Sequence, residues 1–141
     1  RRLPDGVEFG ARVVPGKEFI ALELWLKNGR STGLSGLRSQ VCVMLKGAPD
    51  FNAQTLDNKV KKGLLIATGS ADSSRWVLTL WQRARPWGNK RVPCMHSDPV
   101  FPDLAPGQEA RLRGRLWFYQ GDDLEGELER RLGEWKAAGE E

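Results

Sequence analysis

The nineteen residues RPWGNKRVPCMHSDPVFPD, positions 85 to 103, hold the only histidine of the chain together with Cys94, Asp98 and Asp103. Imidazole gains and loses a proton near neutral pH, so acid-base or metal chemistry would be expected to start at His96. Cys94, His96 and Asp98 alternate along the chain and, if extended, point the same way. With Asp103 nearby they form a candidate metal site of mixed sulfur, nitrogen and oxygen donors. The spacing differs from the paired-cysteine patterns of structural zinc, so the expectation is a structured loop without metal or other cofactor. A nucleophile and base pair of Cys94 and His96 is the enzymatic alternative. It would need a third group to orient the imidazole and an oxyanion hole, and the spacing shows neither.

The carboxylates add little. Asp50, Asp57, Asp72, Asp98 and Asp103 fall in turn-rich stretches, where aspartate ordinarily serves local turns. A phosphate-binding glycine loop, a dinucleotide fingerprint, a GxSxG elbow and an HExxH pair are all missing from the sequence, which sets those enzyme classes aside. The expectation leans towards a protein without catalytic activity.

The aromatic residues point elsewhere. Six tryptophans in 141 residues are more than a small core readily absorbs. Flat rings beside amide and carboxylate groups suit a sugar chain, whose apolar faces stack while its hydroxyls meet polar partners. Trp81 and Trp87 are the expected stacking platforms, and Gln82, Asn89 and Asp98 the expected hydroxyl partners. The alternative is a polyanion surface. Arg111, Arg113 and Arg115 alternate along RLRGRLWFY with Trp117 beyond them, a pattern suited to single-stranded nucleic acid. Against that, Trp117 and Tyr119 also fit the floor beneath a helix.

Charge is unevenly distributed. The net charge is +4, with a body of +9 over residues 1 to 121 and a tail of −5 over residues 122 to 141. A basic body attracts polyanions through its summed field. No apolar run approaches the ~18 residues of a membrane span, so a soluble chain is expected. Two cysteines, Cys42 and Cys94, are too few for a disulfide framework. The start RRLPDG has neither Met nor a leader-like apolar stretch, which reads as a mature product or a piece of a longer protein.

The elements that must position these residues are mostly strands. In EFIALELWL, residues 18 to 26, Ile20, Leu22, Leu24 and Leu26 share one face. With VEFGARVV, residues 7 to 14, this segment predicts a hairpin across Pro15 and Gly16. Residues 37 to 46 predict a strand buried on both faces, and 59 to 68, 75 to 83 and 108 to 120 predict three more. In the last, Ala110, Leu112, Gly114, Leu116 and Phe118 face one way, and the arginines with Trp117 and Tyr119 the other. Residues 84 to 107 carry five of the eight prolines and predict a long constrained loop. The period then changes. Leu124, Leu128, Leu132 and Trp135 recur as a helical stripe over about 122 to 138, with Asp122 and Glu125 at capping-box spacing.

The resulting expectation is an all-β fold: one antiparallel β-sandwich domain of jelly-roll type over residues 1 to 141, with a C-terminal α-helix packed on a sheet face. In strand spacing and tryptophan content it resembles, as a class, the all-β modules attached to carbohydrate-active enzymes, with no shared motif. That resemblance implies non-catalytic binding of a polysaccharide or glycan, in an extracellular setting, as a module of a larger protein.

Overall fold

The computed structural model describes residues 1 to 140. It contains nine strands and one helix among them: β1 (Glu8–Pro15), β2 (Ile20–Lys27), β3 (Cys42–Met44), β4 (Lys59–Lys62), β5 (Leu65–Gly69), β6 (Arg75–Trp81), β7 (Ala84–Gly88), β8 (Cys94–Pro99), β9 (Glu109–Gln120) and α1 (Leu124–Ala137). The strands form a six-stranded sheet in the order β1-β2-β9-β6-β5-β4 and a three-stranded sheet in the order β3-β8-β7. Every pairing between them is antiparallel. This is the expected all-β sandwich with a C-terminal helix.

Strand alternation assigns the two faces of the large sheet. One face carries Leu65, Ala67, Leu78, Leu80 and Trp117, and α1 lays Leu128 and Trp135 on it, with Leu124, Leu132 and Tyr119 around them. Trp117 and Tyr119 are thus the floor of the helix. The opposite face presents Ile66 and Val77 to Met95 of the small sheet and to Leu45, just past the end of β3. A third cluster, including Val7, Leu26, Phe101, Leu104 and Leu112, closes one end. β5 is buried throughout because layers cover both its faces.

The structure corrects the expected elements in four places. Residues 37 to 46 yield only the three-residue β3, with Cys42 and Met44 exposed, because β3 is an edge of the small sheet and one of its faces is uncovered. Residues 59 to 68 are two strands rather than one. Lys62 pairs with Leu65 across a two-residue turn in which Gly63 has φ +57°, a left-handed conformation open to glycine. The helix cap is Asp123, one residue later than Asp122, and its carboxylate accepts from the Gly126 backbone N–H at 2.9 Å.

The largest correction falls on the proline-rich segment. Residues 84 to 107 are not a loop throughout, because β7 and β8 pair from Ala84↔Pro99 to Gly88↔Met95. The prolines sit where a ladder tolerates them: Pro86 on an edge strand, Pro93 just before β8 and Pro99 at its end.

Candidate metal centre

The centre is built by two adjacent strands. Met95 of β8 and Val43 of β3 pair in register and turn towards the core beside Ile66 and Val77. Alternation therefore sends Cys94, His96 and Asp98 of β8, and Cys42 and Met44 of β3, to the other face. Cys42 stands in register with His96, and Met44 with Cys94. Directly opposed side chains start about 5 Å apart at Cβ, so this register brings sulfur and imidazole together.

The ligating atoms of Cys42, Cys94 and His96 all lie within 4.8 Å of one another. Cys94 Sγ is 3.4 Å from His96 Nε2. Thiolate and imidazole bound tetrahedrally to one zinc-sized ion would be separated by roughly 3.5 Å. His96 Nδ1 lies 3.4 Å from Asp98 Oδ1 without reaching hydrogen-bond geometry. Asp98 is itself fixed: Oδ1 accepts from the Val41 backbone N–H at 3.0 Å, and Oδ2 from Trp87 Nε1 at 2.8 Å. A carboxylate behind the far ring nitrogen is the arrangement that orients a metal-bound histidine.

Burial and charge shape the thiols. Cys94 and His96 are buried, whereas Cys42 opens to solvent, and both cysteines are unpaired. Although Cys42 is exposed as a residue, partial desolvation of its thiol, then Cys94 and lastly Asp98, push that thiol above its usual range. Lys59 is pushed down by burial, against an opposing attraction to Cys94. The metal-free centre therefore keeps Cys42 protonated at neutral pH, and a cation is what would offset the cost of crowding two thiolates beside a carboxylate.

Two chemistries fit such a cluster, and the geometry separates them. The run Cys94, His96, Asp98 places a carboxylate 3.4 Å behind the imidazole, where the orienting group of a nucleophile and base pair would stand. Yet Cys94 is only 2% exposed, so its sulfur does not face solvent as an attacking nucleophile would. Cys42 is accessible, but its thiol is shifted away from the thiolate that a nucleophile requires. Metal ligation needs neither a reachable Cys94 nor a low intrinsic thiol pKa.

No family model and no curated protein sequence matches this chain. Its own residues carry the assignment.

The other expected site residues are dispersed. Asp103 is exposed on the connection after β8 and lies outside the cluster, where Cys42 takes the third place. Trp81 is 3% exposed, opposite Gly114, and offers no face to a sugar ring. Asp98 is buried, and both its oxygens are taken. Gln82 is half-buried and accepts from the Arg113 backbone N–H, and Asn89 accepts from that of Arg91. Trp87 alone of the two platforms reaches the surface, 36% exposed, and it stacks on His96.

The arginine row is paired. Arg111 binds Glu23 and Glu109, while Arg113 and Arg115 face Glu140. Trp117, the expected stacking ring for a nucleic acid, is fully buried beneath α1. No helix among the described residues is long and apolar enough to cross a membrane.

Cys42 is the ligand that spacing along the chain does not join to the cluster. It lies 52 positions from Cys94, and only the β3 to β8 register joins them. The available signal was its place in VCVM, where Cys42 and Met44 alternate with valines.

Proposed function

We propose that this chain is a binding module for a thiophilic metal ion, held by Cys42 Sγ, Cys94 Sγ and the His96 imidazole. The observation that carries this reading is the convergence of three ligating atoms within 4.8 Å from residues placed by strand register. Asp98 is the orienting carboxylate. Trp87 locks that carboxylate and covers one imidazole face. An ion with a filled d shell suits the donors, because such ions impose little geometry and bind thiolate and imidazole well.

A glycan reading would rest on Trp87 for its stacking face, since Trp81 lies between the layers. The metal reading accounts for more of the same neighbourhood. It uses the indole N–H, the buried carboxylate, the only histidine and both cysteines at once.

The test is direct. With thiols kept reduced, the full chain is titrated with Co²⁺ and followed by its thiolate-to-metal absorption, then back-titrated with Zn²⁺. One equivalent bound, with the thiolate band reduced in Cys42→Ser and in Cys94→Ser, lost in the double variant, and the affinity lowered in His96→Asn, is the expected result. A wild-type chain that binds neither of these ions, nor Cu(I) supplied under the same reducing conditions, overturns the proposal.

A further inference from the structure

The donors around the centre extend beyond two thiols and an imidazole. Met44 is two residues from Cys42 on β3, hence on the same face, and stands in register with Cys94 on β8. It is 53% exposed, a long thioether on a strand edge with no core to fill. A lone exposed apolar residue is commonplace; this one directly opposes a buried cysteine of the proposed centre.

We infer that the centre selects Cu(I), with the Met44 thioether completing a donor set of three sulfurs and one nitrogen. The inference rests on the metal-binding reading above and specifies its ion. Zinc sites take thiolate, imidazole, carboxylate or water, and a thioether adds nothing they favour. Thiolate with thioether is the soft combination that holds Cu(I). The hard donor nearest the cluster is already committed, since the oxygens of Asp98 accept from Val41 and Trp87.

Exposure orders the donors. Cys94 and His96 are buried, whereas Cys42 and Met44 face solvent from an edge strand. Binding replaces two thiol protons by one Cu(I), with the protons released to solvent and no change in oxidation state. The neutral, exposed thioether is the weakest donor and leaves first, so an incoming thiolate can take its place and draw the ion away through the open side. The same residues that admit Cu(I) therefore release it by ligand exchange.

The experiment uses the full chain without oxygen, with Cu(I) supplied as its coloured bicinchoninate complex, and Zn²⁺ affinity measured in parallel. Wild type is expected to bleach the complex at one equivalent, and equimolar Zn²⁺ should leave the Cu(I) bound. Met44→Leu keeps size and apolarity without sulfur, and should weaken Cu(I) by about tenfold or more while leaving Zn²⁺ affinity unchanged. X-ray absorption of the copper form should show the sulfur shell lose one neighbour in that variant. If Met44→Leu holds Cu(I) as tightly as wild type, or Zn²⁺ displaces Cu(I), the copper inference fails and the metal centre stands. If wild type takes up neither ion, both fall together.

Discussion

The indole of Trp87 lies flat on the imidazole of His96, their ring centroids 3.9 Å apart and their planes 12° from parallel. The same indole donates from Nε1 to Asp98 Oδ2, so one side chain holds both the histidine and the carboxylate behind it. Trp87→Phe keeps an aromatic face over His96 and removes the donor, leaving a buried carboxylate oxygen short of a partner. Such a loss costs about 1–3 kcal/mol, readable as a lower urea midpoint of the metal-free chain. Because Asp98 then orients His96 less firmly, metal affinity should also fall by about 10- to 100-fold. A variant with wild-type stability and affinity would show that this hydrogen bond positions nothing.

Gly114 of β9 stands opposite Trp81 of β6, and a methyl group added there would run into the indole. The glycine is what lets the ring lie flat in the inter-sheet layer. Gly114→Ala should therefore destabilise by about 1–3 kcal/mol through overpacking. The unfolding midpoint should drop with an unchanged denaturant slope, the sign of lost stability without a changed unfolded state. If the midpoint stays put, Trp81 is free to move aside.

Two large apolar residues separate the covered faces from the uncovered ones. Leu128 is fully buried between α1 and the large sheet, whereas Phe118 is 69% exposed on the opposite face, at the open groove it lines with Val43 and Leu45. Leu128→Ala should cost about 2–5 kcal/mol, and Phe118→Ala should stay within about 0.5 kcal/mol of wild type. Thermal or urea unfolding of the two variants checks this contrast, and equal losses would contradict the layer arrangement.

Period carried the fold from sequence to structure, and register could not be read from it. The two-residue repeat in Ile20 to Leu26, the split of β9 into an apolar face and an arginine face, and the stripe of Leu124, Leu128, Leu132 and Trp135 are all local patterns, and each reappears in the structure. Prolines misled because their effect depends on position within a sheet: Pro86 and Pro99 are harmless on an edge and at a strand end, which no local window reveals. KKGLLI read as one run because Gly63 reverses the chain within two residues. At the site, Cys94, His96 and Asp98 were legible as neighbours on one extended segment. Cys42 was not, since its approach to His96 is made by a pairing between strands about fifty residues apart. Trp81 reads from the sequence as a surface ring because composition counts indoles without saying which glycine makes room for them.

The crowding at Cys42 gives the centre opposite pH dependences with and without metal. In the metal-free fold the Cys42 thiol is held above its usual value of 9.0, first by burial and then by Cys94 and Asp98. The folded chain thus keeps this proton to higher pH than the unfolded chain does. Its contribution to stability is complete below the unfolded pKa and is lost as pH rises through the folded one. Thermal unfolding in chelator should accordingly show Tm falling above about pH 9, and Cys42→Ser should flatten that decline relative to wild type. Metal binding demands the thiolates, so affinity should rise with pH and each ion bound should release protons. Parallel Tm curves for wild type and Cys42→Ser in chelator, or metal uptake without proton release in weakly buffered solution, would show that Cys42 does not titrate within the centre.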